Sequence, residues 1–143
     1  MNAPLITLLV VVIFFFYRAE RPEKLRLVNE KYRTLREHLR ETNNEKFHML
    51  MRHIPITGKL WMNNSVGTNT NKGGEIVVCL DGEPNEIFHV LIHELAHCTV
   101  EEYSHSPKFW ENYEELRNIC IDLGIYEKVT ERKEFCGQHV QDK

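Results

Sequence analysis

Residues 4–17, PLITLLVVVIFFFY, hold no charge and no helical or strand alternation, and this run constrains the chain more than any other feature. A segment apolar on every side belongs in lipid or in a deep core, not on one face of a surface helix. At about 1.5 Å per residue it falls short of a hydrocarbon layer of about 30 Å. A spanning helix would therefore draw on its flanks, with Arg18 snorkelling to the headgroups and Phe14, Phe15, Phe16 and Tyr17 near the interface. No basic residue precedes the run, and Tyr17, Arg18 and Ala19 make a poor small-x-small cleavage site, so the segment reads as a retained anchor and not a removed signal. Arg18, Arg21, Lys24 and Arg26 follow it, and by the positive-inside rule the rest of the chain faces the cytoplasm. There the thiols stay reduced and the sequon Asn63-Asn64-Ser65 goes unused.

With that segment set aside, a chain of 143 residues has room for one domain around one core. A net charge of -3 with 27% charged residues is an ordinary surface and supplies no basic field for nucleic acid. Cys79, Cys98, Cys120 and Cys136 include no CxxC pair, which argues against a zinc ribbon or a dithiol redox site and for free thiols.

Over residues 22–39, Leu25, Val28, Tyr32, Leu35 and Leu39 recur in steps of three and four, which predicts an amphipathic helix that packs on the following domain. Residues 46–53 suit a second short helix. Residues 58–62 read as a strand and residues 63–74, rich in Asn, Thr and Gly, as a mobile loop. The β-branched run at residues 75–80, bounded by glycines, predicts a strand. Pro84 opens a helix carrying Ile87, Phe88, Leu91, Ile92, Leu95 and Ala96 to about Cys98, and a last helix over residues 107–123 is closed by Gly124.

The first of those two helices holds His93-Glu94-Leu95-Ala96-His97, an HExxH motif. Residues four apart share a helical face, so His93 and His97 can converge on one tetrahedral metal, while Glu94, turned aside by about 100°, reaches a water on that metal without ligating it. Zinc lowers the pKa of such a water toward about 7 and polarises a peptide carbonyl, and the carboxylate moves the proton to the leaving amine. Two imidazoles and a carboxylate in an apolar helix would be costly to bury without a cation. A catalytic zinc takes three protein ligands, and His105 is the favoured third, ahead of Glu111, Glu114 or Glu115 on the last helix. The metzincin pattern, with its glycine and shorter interval, is absent.

Residues 73–123 resemble the WLM zinc peptidases and, more distantly, the SprT-like ones. The likeness rests on the strand at 75–80, on LIHELAH at 91–97, and on His105-Ser106-Pro107-Lys108-Phe109-Trp110 leading into Glu114-Glu115-Leu116-Arg117. The Asn-rich stretch at 63–69 also looks like the family's corresponding region. The resemblance implies His93, His97 and His105 as ligands and Glu94 as base, although the interval from His97 to His105 is longer than is usual in WLM sequences. The tails by which crosslink-repairing relatives reach DNA have no counterpart here, so a DNA-repair role does not carry over.

The combined expectation is an α+β, minimal zincin-like metallopeptidase domain. It has a small sheet packed on the HExxH helix, preceded by a transmembrane helix and an amphipathic helix. The boundaries are a membrane anchor at 3–19, an amphipathic region at 20–53, a catalytic core at 54–126 and a tail at 127–143. The cofactor is Zn2+ and the substrate a protein or peptide. The alternatives are a membrane-tethered adaptor with a structural metal and a zinc hydrolase acting on a non-peptide amide. Among the neighbours, His89 reads as a partly exposed histidine, Cys98 as a small buried residue, Glu101 and Glu102 as loop charges, and Phe109 and Trp110 as anchors of the last helix. Tyr103 and Tyr126 are both open as donors to an oxyanion. The strand at 75–80 is the expected edge for an extended peptide.

Overall fold

The computed structural model describes residues 2–143, the side chains of residues 18–21 excepted. The expected roles of the Arg18 and Arg21 side chains therefore lie outside the described residues. Helix α1 runs without a break from Ala3–Glu41, with Pro22 inside it, so the two expected N-terminal helices are one element about 58 Å long. Its first half leaves side chains such as Leu8, Phe15 and Phe16 exposed, and the helix is, by length and composition, long and apolar enough to cross a membrane. Its second half buries Val28, Tyr32, Leu35 and Leu39, the stripe predicted from spacing. Tyr32 also fastens the next segment, its hydroxyl accepting the Ile54 N–H at 3.0 Å and donating to the Arg52 carbonyl at 3.3 Å. Of the short helix expected at 46–53, only a 3-10 turn at His48–Leu50 forms.

Three strands follow: β1 (Ile56–Lys59), β2 (Gly67–Thr70) and β3 (Glu75–Cys79), in the order β1-β3-β2. β1 runs parallel to β3, pairing Ile56 with Ile76, and β2 runs antiparallel to it, pairing Gly67 with Val78. β3 is thus central and not the expected edge. Its last four residues are all buried, because it is covered on both faces, and this is why it reads as an unbroken apolar run. The edges are β1 and β2, and the one against α2 is β2, which the sequence presented as part of a mobile loop. Its Gly-Thr-Asn-Thr lacks apolar residues because alternate positions are only half-buried, against α2.

Helices α2 (Pro84–His97) and α3 (Pro107–Asp122) match their predicted spans to within a residue. The residues 127–143, expected as a tail, fold back into the domain. Val129, Phe135, Cys136 and Val140 are buried, and β4 (Lys133–Phe135) and β5 (Gln138–Val140) form a hairpin. Cys136 and Gly137, at φ 50° and 73°, supply the two left-handed positions of a tight hairpin turn. Cys136 is joined to Cys79 of β3 in a disulfide, which corrects the expectation of four free thiols. The pairing spans 57 residues and arises only once the C-terminal segment has returned to the sheet, so no spacing rule could show it. Cys98 and Cys120 remain free, and burial pushes the Cys120 thiol up to about 12.

The returning segment carries Asp142, whose side chain is fully buried. Its Oδ1 accepts the Tyr113 hydroxyl at 2.7 Å and Nη1 of Arg117 at 3.3 Å, while its Oδ2 accepts the Tyr126 hydroxyl and the Val129 N–H at 2.8 Å. His89 of α2 completes the cluster, its Nδ1 lying 2.9 Å from the Tyr126 hydroxyl, 3.1 Å from that of Tyr113 and 3.4 Å from Asp142. With both phenol protons given to Asp142, Nδ1 is the donor. His89 is partly exposed, as expected, but its Nδ1 is committed to this cluster, which the sequence did not show. Tyr126 is likewise committed and unavailable to an oxyanion. Burial alone would raise the Asp142 carboxyl, but hydrogen bonds from His89, Tyr126, Tyr113 and Val129 outweigh it and hold the group well below its usual range.

A carboxyl depressed in the folded state adds stability above its unfolded pKa of about 3.9, and that stability is lost as pH falls toward the folded value. Asp142→Ala strands two phenols and a guanidinium, and it should cost roughly 3–5 kcal/mol in chemical denaturation at pH 7. Asp142→Asn should flatten the loss of stability that wild type shows as pH drops below about 4.

Candidate metal centre

The apolar residues predicted for α2 are fully buried, and this fixes the rotation of the helix: His93, Glu94 and His97 fall on the remaining stripe, half-buried. After Cys98 the chain leaves the helix and returns through residues 98–104. Ser106 then N-caps α3, its Oγ accepting the Phe109 N–H at 3.1 Å, with Pro107 in the first turn. This return places exposed His105 over the two helical histidines. Ring centroids are 5.0 Å apart for His93 and His97, 4.9 Å for His93 and His105, and 4.8 Å for His97 and His105. One ligand atom from each lies within 4.8 Å of the others, and Nε2 of His93 is 3.0 Å from Nε2 of His105.

Four tetrahedral donors about 2.0–2.1 Å from a zinc ion stand roughly 3.3 Å apart, so the three nitrogens need only small adjustments to share one. Burial, with the neighbouring His97 and His105, pushes His93 down to about 3, and burial with His105 and Lys72 lowers His97. The two helical imidazoles are neutral at physiological pH and offer lone pairs, as a metal requires. The donor set fits zinc. Beneath it lies Phe109, fully buried, its ring 4.4 Å from that of His97 and 5.0 Å from that of His93, so the predicted anchor of α3 is also the floor of the site. Trp110 flanks His105 at 5.6 Å.

The glutamates weighed as third ligand lie outside this cluster: Glu114 faces Arg117, Glu115 pairs with Lys46, and Glu111 is exposed.

Glu94 opens onto a cavity of about 160 Å3 that it shares with Asn69, Lys72, His97 and Tyr103. Burial pushes its carboxyl up to about 7. The wall opposite is β2, which can approach only because residue 67 is glycine: a Cβ there would lie 2.5 Å from Cγ1 of Val90 and 3.4 Å from Oε1 of Glu94. Asn69 of the same strand donates from Nδ2 to the Glu94 carbonyl at 2.9 Å and to the Cys98 sulfur at 3.2 Å. Gly67, Asn69 and Lys72 were not singled out from sequence; a small residue followed by alternating Thr and Asn was the available sign of a half-buried edge. Cys98 is half-buried, its thiol facing the Glu94 carbonyl at 3.5 Å, and it is not a member of the histidine cluster. A larger groove of about 590 Å3 beside α1, lined by Arg26, Arg33, Arg36 and His53 among others, shares no residue with the histidine cluster.

No protein-family model matches the chain. An uncharacterized protein of Acanthamoeba polyphaga mimivirus is 25% identical over 139 residues, covering 84% of this chain and 71% of that protein. Among solved structures, the crystal structure of the metallopeptidase zymogen of Pyrococcus abyssi abylysin aligns with a TM-score of 0.42 and 24% identity, over 68% of this chain and 99% of that one.

A carboxyl raised to about 7 in the folded, metal-free protein, against about 4.3 unfolded, is a cost that sets in as pH rises above the unfolded value. Glu94→Gln should therefore stabilise the metal-free protein at pH 8, by on the order of 3 kcal/mol, with the gain vanishing below pH 4. Denaturant melts in the presence of a chelator measure it.

Proposed function

We propose that this chain is a zinc-dependent metallopeptidase of the HExxH type, tethered to a membrane through the apolar half of α1. The observation that carries the reading is the convergence of His93, His97 and His105 beside the half-buried Glu94 carboxyl, which burial raises to about 7. His93, His97 and His105 would hold the metal, which when bound supplies Lewis acidity toward a water and a substrate carbonyl. Glu94 does the proton work: with its carboxyl raised toward neutrality, it accepts the proton of the attacking water at a carboxylate oxygen and returns it to the departing amine.

A peptide would lie extended along the free edge of β2, which replaces the β3 edge expected from sequence, and reach the metal across the cavity lined by Glu94, His97 and Tyr103. Tyr103, exposed at that cavity, is the remaining phenol for an oxyanion. Kinship to WLM or SprT-like peptidases is proposed on the strand at 75–80, the motif at 91–97, the segment 105–117 and the Asn-rich stretch at 63–69. An adaptor with a structural metal fits less well, since among the described residues three donors converge and Glu94 faces an open position beside them. The cytoplasmic side predicted from the basic flank and the Cys79–Cys136 bond do not suit one reducing compartment. The tether is therefore proposed without a side.

The full chain in detergent micelles, loaded with zinc, should digest an unfolded protein such as casein and stop when the metal is chelated. Glu94→Gln should retain its zinc and lose about 10²- to 10⁴-fold in rate. Digestion by Glu94→Gln at the wild-type rate would refute the mechanism.

A further inference from the structure

The turn between β2 and β3 contains an oddity with no role in the reading so far. Asn71, Lys72 and Gly73 all have positive φ, at 52°, 46° and 100°. Asn and Gly tolerate that region, but a lysine held there carries strain that its surroundings must offset. The compensation is in its side chain. The half-buried Lys72 ammonium donates to the carbonyls of His97 at 3.3 Å, Val100 at 2.5 Å and Glu102 at 2.6 Å. An ammonium has three donors, and all three are used. The ring of Tyr103 lies 4.5 Å away and closes the other side.

The three acceptors share a place in the chain. The last carbonyls of a helix have no partner within it, and they form the negative end of its dipole. In α2 the Leu95 and Ala96 carbonyls take the N–H groups of Cys98 and Thr99, the Glu94 carbonyl takes Asn69, and the His97 carbonyl takes Lys72. Val100 and Glu102 then lie in the return between the second histidine and the third. A single cation thus caps the helix that bears His93 and His97 and gathers the loop that delivers His105. Glu102 is tied in turn to Ser106, the N-cap of α3, which lies one residue beyond His105.

We propose that Lys72 is the positioning residue of the metal centre: reaching across from the β2–β3 turn, it folds residues 98–105 into the shape that sets His105 against His93 and His97. The inference rests on the proposed metal-binding role of the three histidines. It accounts for how an interval longer than the WLM pattern still returns a ligand to the site. It also makes the edge strand and the third ligand parts of one assembly.

Two variants of the full chain in detergent test this. Lys72→Met keeps the stem and removes the charge. Lys72→Gly removes clamp and backbone strain together, so it should not lose stability through the turn itself. In the metal-free proteins, hydrogen exchange of the Cys98 and Thr99 amides should be at least about tenfold faster in both variants than in wild type, reporting a loosened loop. Cobalt(II) titration should show affinity lowered roughly 10- to 100-fold, with altered visible absorption bands. Exchange and affinity both at wild-type values would overturn the proposal. So would faster exchange with unchanged cobalt binding, since the loop would then be clamped without positioning the ligand. If wild type itself takes up no cobalt, the metallopeptidase reading fails, and unchanged exchange would overturn the clamp separately.

Discussion

Three imidazoles brought within 4.8 Å of one another beside a half-buried carboxyl form an arrangement that a fold has no reason to keep for itself. Uncharged, the rings present lone pairs to one another; charged, they repel. Burial has already forced the helical pair toward neutrality, His93 most of all, and has raised Glu94 toward protonation. A divalent cation held by the three histidines would relieve both strains at once, satisfying the nitrogens and favouring the carboxylate. The rest of the domain serves to hold α2, β2 and the return loop in this relation.

The framework around the site is stapled from the C-terminal end. Asp142 binds α2 through His89 and α3 through Tyr113 and Arg117, and the disulfide ties the same segment to the central strand. The two helices that bear the histidines and their aromatic floor are therefore fixed right beside the site, where Tyr113, its ring 6.1 Å from that of His93, donates to a carboxylate that stays charged because its partners outweigh its burial. On the cleft side the same helices are held by β2 and its turn. The second half of α1 buries a narrow stripe against this body, so the apolar first half extends from the folded domain along the same helix.

Much of this was legible in the sequence where one local rule decides. The period of Val28, Tyr32, Leu35 and Leu39 found the docked face of α1. The six apolar residues of α2 found its buried side, and HExxH was read directly as a motif on that helix. His105 was picked out because a polar return ends there just before a proline, and the structure brings it beside His93 and His97. What stayed hidden depends on contacts distant in sequence. Gly67 to Thr70 form a strand only because β3 offers an edge and α2 a surface. Cys136 meets Cys79 across the whole domain. Asp142 reads as one more terminal acid until Tyr113, Tyr126 and His89 surround it. Lys72 reads as a loop charge until its turn points it at the end of α2. The unbroken helix through Pro22 was missed because a proline and a change of composition together look like a boundary.

X-ray absorption at the zinc edge, on the full chain purified with one equivalent of zinc, tests the central claim most directly. The account predicts about three imidazole nitrogens and one further light ligand at roughly 2.0–2.1 Å, and loss of one imidazole in His105→Ala. Failure to retain zinc, a sphere closed by four protein ligands, or an unchanged spectrum in His105→Ala would contradict it.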